Sequence, residues 1–167
     1  MKNIILCGFM GSGKTALGRM LSERKNLRFF DTDEIIVEKM RMHIADIFAK
    51  YGEEHFRSLE TETIKEFAGS ENCVISLGGG LAANERNHPY LKEAGIIVLL
   101  ECNIEETLRR ISGDKTRPLT TDGSEDIIKR YNFRKPIYEA VADTVVDSSG
   151  TAEETYKKLL SALEELK

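Results

Sequence analysis

Short apolar runs alternate along this chain with stretches whose apolar residues recur every three or four positions. Strands are predicted near Asn3 to Cys7, Arg28 to Phe30, Cys73 to Leu77, Ile96 to Leu100 and Thr144 to Val146. The runs at 73–77 and 96–100 are almost wholly apolar, as strands covered on both faces should be. Between the runs lie helical patterns: Leu17/Met20/Leu21, Ile35/Ile36/Met40, Ile44/Ile47/Phe48, Phe56/Leu59/Thr63/Phe67 and Ile104/Leu108/Ile111. A last helix opens at about Thr151, where Thr151 and Glu154 make a capping box, with Tyr156, Leu159, Leu160, Leu163 and Leu166 as its buried stripe. Such alternation implies an α/β fold of three layers, a parallel sheet with helices on both sides. Two places interrupt it. At Arg134-Lys135-Pro136 a helix is expected to break or restart. From Ser112 to Ser124, with Gly113 and Gly123 at the edges and Arg117-Pro118 inside, the pattern is that of a surface loop or a lid.

Composition narrows the class without naming a function. A length of 167 residues predicts one domain over 1–167. Hydrophobic residues make up 41% and charged residues 31%, and the net charge of −4 gives no footprint for nucleic acid. The opening apolar run is too short to cross a bilayer and has no signal-peptide pattern, so no membrane partner is expected. Cys7, Cys73 and Cys102 lie in or beside apolar runs without C-x-x-C spacing, and His43, His55 and His88 have no ligand spacing. Buried thiols in a reducing, cytoplasmic compartment are expected, and a monomer is the default.

Chemistry enters at Gly8-Phe9-Met10-Gly11-Ser12-Gly13-Lys14-Thr15, which follows the first predicted strand and opens the first predicted helix. This is G-x-x-x-x-G-K-T in the context it requires. The glycines let successive backbone amides curl round an anion in front of a positive helix end. Lys14 is placed to reach the β- and γ-phosphates, and the Thr15 hydroxyl to ligate Mg²⁺. The chain is therefore expected to bind a nucleoside triphosphate. A lid at about 112–124 would suit such a protein, because water must be kept from the γ-phosphate.

Asp31-Thr32-Asp33 follows the second predicted strand, where residues line the crevice beside a phosphate loop. Alternation along an extended chain would send both carboxylates to one side, Asp31 toward the metal shell and Asp33 toward an acceptor hydroxyl. The alternative is that Asp33 caps a helix starting at Glu34. Gly78-Gly79-Gly80 ends the third strand and permits close backbone approach to a ligand. That strand offers Ser76 where many phosphate-loop proteins carry a metal-binding aspartate, which leaves Asp31 as the candidate carboxylate. Arg57, three residues before Glu60, which could orient it, Arg117 beside the lid proline, and Arg134 stand out by setting.

Read together, these segments resemble the shikimate kinase family. The resemblance runs over nearly the whole length: G-F-M-G-S-G-K-T, D-T-D at 31–33, I-F-A-K-Y-G-E-E-H-F-R-S-L-E at 47–60, S-L-G-G-G at 76–80, T-R-P-L at 116–119 and R-K-P-I-Y at 134–138. It implies a nucleoside monophosphate kinase-like fold with a five-stranded parallel sheet. It also implies ATP- and Mg²⁺-dependent phosphorylation of a ring hydroxyl of shikimate, giving 3-phosphoshikimate and ADP on the route to chorismate and the aromatic amino acids. The implied ATP contacts are Gly11, Ser12, Gly13, Lys14, Thr15 and Ala16, with Arg117 swinging in from the lid and Arg110 and Ser148 beside the adenine. Asp31 helps bind Mg²⁺ through water, alongside Thr15. Asp33 contacts the hydroxyls of shikimate, Arg57 and Arg134 grip its carboxylate, and Gly79 and Gly80 offer backbone. Lys14, Asp33 and Arg117 carry the chemistry on this reading. A guanidinium fork does match a carboxylate, and two of them fix a small rigid acid by one end. Gluconate or a nucleoside monophosphate as acceptor, or a nucleotide switch without an acceptor, are the competing readings.

Overall fold

Odd and even residues of the first strand enter different cores, and that division organises the molecule. A computed structural model describes residues 1–113 and 123–166. Strand β1 (Asn3–Cys7) is buried at every position. Helix α1 (Lys14–Lys25) and the edge strand β2 (Arg28–Asp31) follow. Next come α2 (Thr32–Met40), α3 (Ile44–Tyr51) and α4 (Glu53–Lys65), then β3 (Cys73–Ser76). A 3₁₀ turn over Glu85–Asn87 runs into α5 (His88–Ala94), followed by β4 (Gly95–Glu101) and α6 (Ile104–Gly113). From residue 123 onward come α7 (Ser124–Val141), β5 (Thr144–Asp147) and α8 (Ala152–Glu165).

The five strands are all parallel in the order β2-β3-β1-β4-β5. Ile5 and Cys7 pack with Ile75 and Leu99 against Ile64 of α4, Leu91 of α5, Ile111 of α6, and Tyr138 and Val141 of α7. Ile4 and Leu6 pack with Val74 and Leu100 against Leu17 and Leu21 of α1 and Tyr156 and Leu159 of α8. Each such aliphatic side chain contributes about 1.5–3 kcal/mol on full burial, so period-2 alternation in the strands fixes which helices lie on which face. A satellite core of Ile36, Ile47 and Phe56 joins α2, α3 and α4 beside the sheet. Because the strands are parallel, every strand's carboxyl end emerges at one rim, and the loop after β1 sits between those after β3 and β4.

Two expectations are corrected. Helix α7 runs unbroken through Pro136. Proline in a helix interior costs about 3 kcal/mol, and here anchors on either side offset it. The Tyr131 hydroxyl donates to the Cys102 carbonyl (2.9 Å), Lys135 pairs with Glu101 (2.8 Å), and Tyr138 is buried. At the other end of the chain, Leu166 lies past α8 and is exposed, outside the stripe assigned to it. Among the described residues no helix is long and apolar enough to cross a membrane. All three cysteines are free and buried, and burial pushes the Cys7 thiol up to about 12.

Candidate active site

At the carboxyl rim the loop between β1 and α1 needs glycine for its dihedrals. Gly8, Gly11 and Gly13 have φ of +142°, +77° and +87°, a region that side chains with a Cβ rarely enter. Phe9 is buried edge-on against Tyr131, with centroids 5.4 Å apart, and pins the start of the loop. Helix α1 begins at Lys14 with no side-chain cap and no acidic residue in its first turn. The amides of that turn, which helix geometry leaves without intrahelical acceptors, open on the cleft through Lys14, Thr15 and Ala16. The Lys14 ammonium lies over its own loop, donating to the carbonyls of Gly8 and Phe9 at 2.9 Å each.

The Thr15 hydroxyl meets the ends of β2 and β3. It donates to Asp31 Oδ2 (3.0 Å) and lies 3.4 Å from the Ser76 hydroxyl, while Asp31 and Ser76 are register partners across the sheet. The other Asp31 oxygen accepts from the amides of Asp33 (3.0 Å) and Glu34 (3.4 Å). Asp31, not Asp33, is therefore the cap, and α2 starts at Thr32 rather than Glu34. The extended-chain alternation of the two aspartates does not hold, since Asp33 belongs to the first turn of a helix. Both still line the same cleft. The buried Thr32 hydroxyl accepts from the Gly78 amide (2.9 Å), tying D-T-D to the glycine run. Two hydroxyls and one carboxylate are hard oxygen donors that suit Mg²⁺, an ion that keeps waters and takes its remaining ligands from phosphates. Among the described residues no group of three or more His, Cys, Asp or Glu could hold a metal by itself.

Across the cleft, Gly78, Gly79 and Gly80 serve space rather than dihedral freedom. A Cβ on Gly78 would overlap the Asp33 carboxylate, and one on Gly80 would overlap the Arg57 guanidinium. One on Gly79 would stand 3.6 Å from an Arg134 nitrogen. Three consecutive backbone positions thus abut, one each, the three side chains predicted to hold an acceptor.

Arg57 is held in place by carboxylates, donating to Glu60 (2.8 Å) and Glu53 (3.2 Å), with its guanidinium near the rings of Phe56 and Phe48. The Glu60 side chain is 1% exposed. Burial pushes its carboxyl up to about 7, against the downward pull of Arg57. Arg134 reaches the cleft from α7, one turn before Tyr138, whose hydroxyl donates to the Gly79 carbonyl. Burial raises that phenol to about 12.

At the opposite end, Arg110 donates to the carbonyls of Gly11 (3.1 Å), Ser148 (2.9 Å) and Gly150 (3.0 Å), with Glu106 bracing it at 2.8 Å. It clamps the phosphate loop to the segment after β5. Ser148 is buried there, its hydroxyl without a hydrogen-bond partner among the described residues. The cleft between these ends has a volume of about 840 Å³. It brings together every predicted site residue except Arg117, which with most of the expected lid lies outside the described residues. Sequence reasoning missed Arg130, which lines the cleft one helical turn before Arg134. Its i,i+4 spacing from Arg134 was the available signal, in a stretch for which no helical pattern was expected. Phe48, Phe56 and Met10 also line the cleft and read from sequence as ordinary apolar positions.

Comparison with known proteins finds relatives over most or all of the chain. The family model described as shikimate kinase matches residues 10–164. A shikimate kinase of Caldicellulosiruptor bescii is 42% identical over 141 residues, covering 83% of this chain and 82% of its own length. The structure of a shikimate kinase from Acinetobacter baumannii in complex with shikimate superposes with a TM-score of 0.90 at 35% identity, covering 100% of this chain and 95% of that one. A gluconokinase from Sinorhizobium meliloti has a TM-score of 0.63 at 18% identity over 99% of this chain and 93% of its own, a likeness of fold alone.

Proposed function

The chain belongs to the shikimate kinase family, and from that premise we propose that it transfers the γ-phosphoryl group of ATP to a ring hydroxyl of shikimate, giving 3-phosphoshikimate and ADP for aromatic amino acid biosynthesis. The observation that carries this reading is the apposition of Gly78, Gly79 and Gly80 to Asp33, Arg134 and Arg57. A hydroxyl-directed carboxylate and two carboxylate-directed guanidiniums surround one patch of bare backbone, a constellation fitted to a small hydroxy acid.

Each residue then has a task. The phosphate loop from Gly11 to Ala16 cradles the triphosphate with its amides, and Arg110 and Ser148 border the adenine. Arg57 and Arg134 fix the acid by its carboxylate, with Gly79 and Gly80 supplying backbone contacts. Asp33 receives the hydrogen bond of the acceptor hydroxyl and turns its oxygen toward the γ-phosphorus. A new O–P bond forms, the bond from that phosphorus to the β,γ-bridging oxygen breaks, and the hydroxyl proton is released. Positioning and charge neutralisation make up most of such catalysis, and Lys14 and the lid residue Arg117 supply the protein's positive charge. Thr15 with Asp31, the latter through water, would hold Mg²⁺, which when bound would supply further charge neutralisation at the phosphates. We read the chain as one catalytic domain over 1–167 with its lid near 112–124, acting as a cytoplasmic monomer on two small molecules, away from nucleic acid and membrane.

A coupled assay of ADP release tests this directly, comparing shikimate, gluconate and several nucleoside monophosphates with ATP and Mg²⁺. The expected result is acceptor-dependent ADP release with shikimate alone. Equal or greater release with gluconate or a nucleotide would overturn the assignment, and release indifferent to every acceptor would mark a nucleotide switch.

A further inference from the structure

Behind the acceptor wall lies a polar side chain that touches neither end of the cleft. Asn87 closes the 3₁₀ turn and is wholly buried. Its side-chain amide donates to the Leu81 carbonyl (2.9 Å), and its side-chain carbonyl accepts the Thr61 hydroxyl (2.7 Å). Leu81 immediately follows Gly80. Thr61 stands on α4 next to Glu60 and one turn past Arg57. Arg86 reinforces the helix side, its Nε donating to the Thr61 hydroxyl (3.2 Å) while its guanidinium pairs with Glu54 (2.8 Å). On the loop side, His88 Nε2 bonds the Ala82 carbonyl (2.9 Å).

A buried amide is costly unless both its ends are bonded, and here the two ends go to two different walls. The spacing they set is critical, because Gly80 and the Arg57 guanidinium are packed so closely that not even a Cβ fits between them. We propose that Asn87 is a positioning residue for the transfer reaction: it fixes the glycine run against α4 and so holds Arg57 at the distance the acceptor carboxylate requires. This rests on the acceptor reading given above.

Steady-state kinetics of Asn87→Leu and Thr61→Val, each compared with Thr61→Ser, tests the role. Asn87→Leu removes both links at nearly constant volume; Thr61→Val removes the hydroxyl that meets Asn87, Arg86 Nε and the Arg57 carbonyl, and Thr61→Ser restores it. The acceptor KM is expected to rise about 10–100-fold in the first two variants, the penalty of unpaired buried polar groups. The KM for ATP should move by less than about twofold, and Thr61→Ser should recover most of the acceptor loss. Thr63→Val serves as the control: its threonine is also buried on α4 but bonds back to the Leu59 carbonyl (2.8 Å). It should leave the acceptor KM unchanged. Should Asn87→Leu fail to fold, the Thr61 pair decides the question. A folded Thr61→Val with a normal acceptor KM, or with both KM values raised alike, overturns the role. Wild-type protein indifferent to shikimate would instead sink the functional reading itself, so the two failures are separable.

Discussion

The cleft has two glycine-rich walls, and adding a methyl group would harm each for a different reason. At Gly11 there is room, the nearest heavy atom to an added Cβ being 3.5 Å away, but the backbone stands at φ +77°. At Gly80 the backbone has no such constraint, and the obstacle is the Arg57 guanidinium. The phosphate end is thus a feature of the main chain, written in dihedrals and helix amides. The acceptor end is a feature of side chains, projected from α2, α4 and α7 onto a backbone stripped bare to receive them. A main-chain site accepts any triphosphate tail of the right shape. On the proposed function a side-chain site selects its acid, and it needs buried partners such as Glu60 to keep long flexible groups in one place.

Five substitutions sharpen this contrast. Lys14→Met removes the phosphate wall's own mobile cation, and turnover should fall by on the order of 10³–10⁵-fold, as for other cations on a transferring phosphoryl group. The circular dichroism spectrum should stay that of the wild type, and near-normal turnover would contradict the assignment. Arg57→Ala should lose about 2–5 kcal/mol of acceptor interaction, the range for one partner of a desolvated charge pair. The KM for ATP should hardly move, and an unaltered shikimate KM and turnover would remove Arg57 from the site.

The glycine pair comes next. Gly80→Ala should raise the acceptor KM by about tenfold, or ~1.4 kcal/mol, with little change in unfolding stability, because the crowded atom is the end of a flexible side chain. Gly11→Ala should do the reverse for shikimate, leaving its KM alone while costing about 1–2 kcal/mol of stability through its left-handed backbone. If chemical denaturation and kinetics found the two variants alike, the distinction between the walls would fall.

Glu60→Gln gives the smallest effect and reports on burial. The folded value of about 7 lies above the usual 4.5, so the protonated carboxyl's contribution to stability is complete below pH 4.5 and is lost as pH rises through about 7. Glutamine does not titrate. The unfolding free energy of the variant relative to wild type should therefore climb between pH 4.5 and 7 and level off above. A difference that stays flat across that window would mean the carboxylate is ionised throughout.

What could be read from sequence was what is local in sequence. The phosphate loop, D-T-D and the glycine run each carry their meaning within a few residues, and the central strands β1, β3 and β4 announce themselves as apolar runs, unlike the partly exposed edge strands β2 and β5. The alternative that Asp33 caps the helix was two residues out, because an Asp-x-Asp pair offers two candidate caps and only the bonds of Asp31 to the amides of Asp33 and Glu34 separate them. Helix α7 was hidden because Pro136 penalises a helix locally while its compensation comes from Cys102 and Glu101, remote in the chain. Arg130 was lost with it. The Asn87 bridge joins residues separated by 26 and 6 positions, and no periodicity reports such a link.

The Asp31 carboxylate has one oxygen on the Thr15 hydroxyl and the other on the amides that open α2. Its two oxygens are joined rigidly through one carbon, so neither can turn alone. On the proposed function, the cation seat cannot be remodelled without re-seating the first turn of the helix that bears Asp33. An engineer retuning this protein's metal preference should expect acceptor selectivity to drift in the bargain.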